Sequence, residues 1–306
     1  MDLKVKDRFL GCLLGLAVGD AVGTSVEFRP RGSFKPLTDM IGGGPFDLCP
    51  GQWTDDTSMA LCLATSLVEC HGFDARDQME RYCKWADTGY LSSTGRCFDI
   101  GHTVASALRR FRQTRDPYAG SNDPHSAGNG SIMRLAPIPM FFFPDVGAAE
   151  RFAAESSRTT HAAAECLDAC RLLARIICRG LSGKPKDEVA LEDSKTFTGS
   201  EKIVAIARGA YREKSREEIR GSGYVVDSLE AAMWCFVHAD SFAEAILMAA
   251  NLGDDADTTA AVCGQVAGAY YGAQQIPAAW LERLALQSEI TELADQLYSV
   301  SKEGTG

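Results

Sequence analysis

The sequence predicts a compact all-α fold in a single domain spanning residues 1–306. Three observations carry this. Apolar residues recur near the 3.6-residue helical period in segment after segment. No alternation of strand and helix patterns appears, which argues against a doubly wound sheet. Alanine is abundant on the apolar faces, as close packing of many helices requires.

The first helix is marked by Phe9, Leu10, Leu13, Leu14, Leu16 and Ala17. Gly11, Gly15 and Gly19 recur every four residues along it. Glycine costs helix propensity, so the stripe predicts close backbone approach to a neighbouring helix. Met59 to Leu67 marks a second helix, beginning near Ser58, and Val104 to Leu108 another. Ala162 to Ile177, Ile203 to Tyr211, Ser228 to Val237 and Phe242 to Ala250 continue the series. Ser241 with Glu244 makes a capping box for the last of these. Val262 to Tyr271 and a single helix over Trp280 to Leu297 complete it, while Gly180 to Ser200, rich in Gly, Lys, Ser and Asp, reads as a surface loop.

Composition bounds the function. Hydrophobic residues make up 45% and charged residues 24%, so the chain has material for a sizeable core and is neither disordered nor fibrous. Lys plus Arg number 31 against 41 Asp plus Glu, a net charge of −10 that repels phosphate backbones. The densest basic stretch, Arg208 to Arg220, is interleaved with Glu213, Glu217 and Glu218. No nucleic-acid partner is expected. The longest apolar run near the start, Phe9 to Gly19, falls short of the roughly 20 residues a membrane span needs, so no membrane association is expected either. Eleven cysteines form no CxxC pair and sit mostly in apolar helical stretches. They read as reduced thiols of a cytoplasmic protein, with no secretory signal ahead of them. The chain is expected to be a monomer.

Two acidic clusters each open a helix: Thr54-Asp55-Asp56-Thr57, and Asp254-Asp255-Ala256-Asp257-Thr258-Thr259. Each alone is explained by capping, since Asp and Thr at a helix start satisfy free N–H groups and suit the dipole. Together they carry more carboxylates than capping needs. Oxygen donors without Cys or His are the chemistry of hard cations such as Mg²⁺ or Mn²⁺. Converging carboxylates would repel unless cations neutralised them. Asp255 and Asp257 can aim at one ion, and two metals roughly 3.5–4 Å apart would suit the set.

The same residues resemble the two metal motifs of the ADP-ribosylglycohydrolases. Gly19-Asp20 through Val26-Glu27-Phe28 resembles that family's N-terminal GDAxGxxxE segment. Gly95-Arg96-Cys97-Phe98-Asp99-Ile100-Gly101 resembles a glycine-flanked loop of its bacterial members, and Gly128 to Arg134 resembles its GNGxxMR loop, followed by the Thr160-His161 pair. The motifs fall in the family's order from about residue 8 to about residue 272.

The resemblance implies an all-α fold with a metal-containing cleft and two Mg²⁺ (or Mn²⁺) ions. It assigns metal ligation to Thr54, Asp55, Asp56, Asp255, Asp257 and Thr258, and leaves Asp254 behind them. Glu27 matches a gating acid above the metals. Gly128, Asn129, Gly130, Ser131 and Met133 would hold the diphosphate and ribose, largely through backbone N–H groups. His161 would lie by the adenosine, with a satisfied histidine at a helix start as its structural alternative. Phe98 and Asp99 would face the acceptor. The implied reaction is hydrolysis of the bond between ADP-ribose and an acceptor on a protein or small substrate, with Asp55 or Asp56 accepting a proton from water and Asp99 orienting or protonating the acceptor. Arginine is the expected acceptor, because Phe98-Asp99-Ile100-Gly101 resembles arginine-directed bacterial members and a carboxylate suits a guanidinium. Serine-linked ADP-ribose, O-acetyl-ADP-ribose and poly(ADP-ribose) stay open. An isoprenoid synthase would need a DDxxD run, which neither cluster has. A non-catalytic role, crystallin-like or ADP-ribose-binding, is the rival from another class.

Overall fold

A computed structural model describes residues 3–190 and 197–303. Fourteen α-helices follow one another among these residues: α1 (Leu3–Gly23), α2 (Asp55–Glu69), α3 (Ala75–Thr88), α4 (His102–Thr114), α5 (Pro137–Phe142), α6 (Val146–Arg158), α7 (Ala164–Leu181), α8 (Lys186–Ala190), α9 (Glu201–Ala207), α10 (Val225–His238), α11 (Phe242–Ala250), α12 (Ala256–Tyr271), α13 (Ala278–Arg283) and α14 (Gln287–Glu303). Three short 3₁₀ turns and isolated β-bridges accompany them among the described residues. The main core draws on α1, α2 and α5 through α14; a smaller one joins α3, α4 and part of α2.

The glycine stripe has the expected role. α1 and α12 pack so closely that a methyl group at Gly11, Gly15 or Gly19 would overlap the carbonyl of Gly268, Gly264 or Ala260 in turn. The reciprocal glycines of α12, Gly264 and Gly268, meet the carbonyls of Gly15 and Gly11. This contact aligns two buried helices whose ends carry Asp20 and Asp257.

α1 is longer than its uninterrupted apolar run suggested. The stretch Lys4–Val26 is long and apolar enough to cross a bilayer, with mean hydropathy 1.7, because the pattern resumes beyond Asp20. Its window is 94% buried inside the protein, as a core helix should be.

Other boundaries differ from expectation for local reasons. α2 begins at Asp55 rather than near Ser58, since its first turn is capped from another helix, as described below. The 180–200 stretch is not one loop: α7 runs to Leu181 and α8 occupies Lys186–Ala190, while 191–196 lie outside the described residues. The helix expected over Trp280 to Leu297 is two, because Ala285 N–H donates to Gly51 O (2.9 Å) and Ala285 O accepts from Trp53 Nε1 (3.0 Å). These bonds close the chain behind the start of α2. At α11, Ser241 Oγ accepts from Glu244 N–H as a cap, but the Glu244 carboxylate reaches Asp240 N–H rather than that of Ser241.

Substituting Gly19→Ala should therefore force α1 and α12 apart and cost about 3 kcal/mol or more of unfolding free energy in chemical denaturation. A change under about 0.5 kcal/mol would show that the contact yields more easily than its geometry implies.

Candidate functional site

The first turn of α2 is held by a carboxylate from α1. Asp20 is fully buried; its Oδ1 accepts from Thr54 N–H (2.9 Å) and Thr54 Oγ1 (2.9 Å), its Oδ2 from Thr57 N–H (3.0 Å) and Thr57 Oγ1 (2.6 Å). It thus does the work of an N-cap across the fold. Thr54 and Asp255, the two N-cap residues of α2 and α12, make no capping bond with their own side chains. Capping alone does not explain these acidic clusters.

The two clusters meet. Thr258 Oγ1 donates to Asp56 Oδ1 (3.2 Å), and Thr54 Oγ1 lies 3.2 Å from Asp257 Oδ2 as a second acceptor for its single proton. Asn129 Nδ2 reaches Asp255 Oδ2 at 2.5 Å and Ser228 Oγ at 3.3 Å. Glu27, Asp255 and Asp257 each offer an oxygen within 4.8 Å of the others. Glu27, expected as a gate, thus sits at ligand distance from two expected ligands. Asp254 is exposed; its backbone stitches the loop before α12 to the loop after α1, with Phe28 N–H donating to Asp254 O (2.7 Å) and Asp254 N–H to Arg29 O (2.8 Å).

The electrostatics of this cluster are unfavourable without a counter-charge. Asp55, Asp56 and Asp257 are driven well above the ordinary carboxylate range, by burial first and by the surrounding acids second. Burial pushes Asp99 up to about 8, helped by Asp20 and Asp255. Glu27 rises to about 10 through burial and the charges of Asp99, Asp255 and Asp20. Asp20 rises to about 6, with its four hydrogen bonds opposing burial. Asp56 Oδ2 and Asp257 Oδ1 are buried with no hydrogen-bond partner. An all-oxygen donor set, unpaired buried lone pairs and mutual repulsion fit a hard divalent cation.

A cleft of about 560 Å³ opens above the cluster. Glu27, Asp55, Asp99, Asp255, Asp257 and Thr258 line it, as do Gly128, Asn129, Gly130, Met133 and His161 of the glycine loop and its neighbour. Thr54 and Asp56 lie buried beneath the floor. Two expected binding residues stand off the wall. Ser131 is buried, with Cys170 Sγ donating to its hydroxyl at 3.4 Å. Phe98 packs on Phe46 (5.2 Å between centroids), which packs on Phe28 (6.4 Å). Phe28 lines the cleft, is 64% exposed and adopts φ +61°. A second chamber of about 780 Å³ shares Thr103, Gly128 and Gly223 with the first and reaches Tyr224, Glu165 and Lys202.

Asp20, Phe28 and Gly223 were absent from the expected site. Asp20 had a readable signal, a lone carboxylate inside an apolar helix. Gly223 had none, since the Asn129 N–H bond to its carbonyl (3.1 Å) arises only in the fold.

The family model "ADP-ribosylglycohydrolase" matches residues 1–305. The chain belongs to the ADP-ribosylglycohydrolase family. It is 43% identical over 297 residues to "ADP-ribosylarginine hydrolase Tri1" of Serratia proteamaculans (strain 568), covering 97% of this chain and 80% of that protein. It is 45% identical over 292 residues to the protein of the same name in Pseudomonas putida (strain GB-1), covering 95% and 78%. With "ADP-ribosyl-[dinitrogen reductase] glycohydrolase" of Rhodospirillum rubrum it shares 32% identity, covering 97% and 98%. A solved structure titled "ADP-ribosylglycohydrolase-related protein complex" superposes with a TM-score of 0.85 at 43% identity, covering 97% of this chain and 99% of that one. The helical architecture described above is thus that of an ADP-ribosylglycohydrolase.

The raised carboxylates make a stability prediction. Their folded values lie above the ordinary 3.8 to 4.5, so between the two the folded cation-free protein binds more protons than the unfolded chain. Stability is then complete below about pH 4 as far as these groups are concerned, and is lost as pH rises through about 6, 8 and 10. In thermal melts with chelator, this site should lower stability from pH 5 to pH 8, and Mg²⁺ or Mn²⁺ should raise the melting temperature more at pH 8 than at pH 6. An equal cation effect at both values would contradict the assignment.

Proposed function

We propose that this protein hydrolyses the glycosidic bond between ADP-ribose and an arginine side chain, with two Mg²⁺ or Mn²⁺ ions held by Thr54, Asp55, Asp56, Asp255, Asp257 and Thr258. The observation that carries this reading is the meeting of the α2 and α12 starts beneath one cleft that the glycine loop also lines. When bound, such cations supply Lewis acidity that lowers the pKa of water and attracts a vicinal diol.

The chain's own residues define the rest. Gly128 and Gly130 line the cleft where a diphosphate would lie, although the Gly128 and Asn129 N–H groups already donate to Ser126 O (2.8 Å) and Gly223 O (3.1 Å), and Asn129, tied to Asp255 and Ser228, couples that loop to the acidic floor. A ribose between the two walls has its anomeric carbon over the carboxylates, which stabilise oxocarbenium-like charge. A carboxylate oxygen of Asp55 at the cleft surface accepts a proton from the attacking water. The water oxygen bonds to the anomeric carbon as the carbon–nitrogen bond breaks and guanidine leaves. Asp99, held at φ +58° on the cleft wall and protonated near neutral pH because burial lifts it to about 8, gives its proton to the departing guanidine nitrogen and then pairs as a carboxylate with the guanidinium so formed. The printed names of the Serratia and Pseudomonas relatives support arginine as acceptor. The substrate is then an ADP-ribosylated protein or small ADP-ribosyl compound. Eleven free cysteines, most of them buried, suit a cytoplasmic location.

Asp55→Ala and Asp257→Ala should each lower ADP-ribose release from ADP-ribosyl-arginine by roughly a hundredfold or more, and chelator should abolish it. Unmutated protein should release ADP-ribose from the arginine-linked substrate faster than from serine-linked or O-acetyl forms. Wild-type rates in either variant would overturn the catalytic assignment, and faster release from the other substrates would overturn the acceptor.

A further inference from the structure

Behind the glycine loop lies a buried cation that faces no carboxylate. Arg134 has no exposed surface. Its guanidinium stands 4.7 Å from the Tyr82 ring centroid, Nη1 is 3.7 Å from Met59 Sδ, and Nη2 donates to Thr160 Oγ1 at 2.6 Å. Nε has no partner, and no described Asp or Glu forms a salt bridge with it. Burying a charge without a counter-charge is costly.

The hydrogen bonds beyond it run in one direction. Arginine can only donate, so Thr160 Oγ1 accepts from Arg134. The one hydroxyl proton is then free for the neighbouring contact, His161 Nδ1 at 2.8 Å. Among the described residues Thr160 Oγ1 has no contact besides Arg134 and Nδ1, so donating its proton to Nδ1 satisfies both groups and leaves the ring proton of neutral His161 on Nε2. Nε2 faces the glycine loop: a Cβ built at Gly130 would lie 3.1 Å from it, and one at Gly128 3.5 Å. His161 is itself part of the cleft wall. Burial and the Arg134 charge drive its pKa down to about 3, which keeps the ring neutral near neutral pH.

We propose that Arg134 is a positioning residue which, acting through Thr160, sets the His161 tautomer so that Nε2–H is offered to a phosphate oxygen of a nucleotide diphosphate lying along Gly128 to Gly130. The ligand rests on the proposed function; the relay does not.

The test is ring ¹⁵N NMR of histidine-labelled protein together with ADP-ribose binding by calorimetry in Mg²⁺. His161 is assigned by the signals lost in His161→Gln. Wild-type His161 should show protonated Nε2 and bare Nδ1 from pH 6 to pH 8. Thr160→Ser should keep that spectrum. Thr160→Val and Arg134→Met should lose the single tautomer and weaken ADP-ribose binding roughly ten- to hundredfold. The Thr160 pair decides the matter if Arg134→Met fails to fold. A wild-type ring protonated on Nδ1 or on both nitrogens would overturn the relay, as would an unchanged ring in Thr160→Val or a Thr160→Ser protein behaving like the valine variant. Wild-type protein that shows the expected ring but does not bind ADP-ribose would overturn the diphosphate assignment and the proposed function, leaving the relay standing.

Discussion

Buried carboxylates without a protein cation dominate this molecule. Asp20, Glu27, Asp55, Asp56, Asp99, Asp255 and Asp257 gather around one floor, and no described Lys or Arg forms a salt bridge with any of them. Such an arrangement persists only where packing elsewhere over-determines it. The α1–α12 contact supplies that packing. Two helix backbones in direct contact leave no slack for the acidic ends to move apart. Asp20 then ties α2 to the pair through four hydrogen bonds. Geometry is thereby imposed first, and the repulsion remains for a bound counter-charge to relieve.

Much of this was legible in the sequence because the signals were local. The glycine stripe at 11, 15 and 19 announced a close helix contact, though not its partner. The acidic clusters announced their chemistry through composition and position. What stayed hidden depends on distant pairing. The early start of α2 comes from Asp20, 34 residues away. The break between α13 and α14 comes from bonds to Gly51 and Trp53. α3 escaped notice because its buried Met79, Tyr82 and Trp85 are outnumbered by charged neighbours, although Asp74 caps it and Gly89 ends it in the usual way. Phe98 and Ser131, which the motif reading put with the binding residues, do not line the cleft: Phe98 packs on Phe46 and Ser131 accepts from Cys170.

The cleft is polar in a directional sense. One set of lining residues concentrates negative charge and unpaired oxygen lone pairs; the other is a glycine loop beside a histidine backed by Thr160 and Arg134. A ligand that carries a diol near one end and a diphosphate near the other matches both at once. That match is what the proposed ADP-ribosyl chemistry uses, and Asn129 links the two sets directly by bonding Asp255 from within the loop.

The central claim is that the starts of α2 and α12 together form one cation site. Anomalous diffraction from crystals soaked in Mn²⁺ tests it most directly. The account requires strong anomalous peaks in contact with both Asp55–Asp56 and Asp255–Asp257. Well-ordered crystals with no peak there, or with manganese held by only one of the two helices, would contradict it.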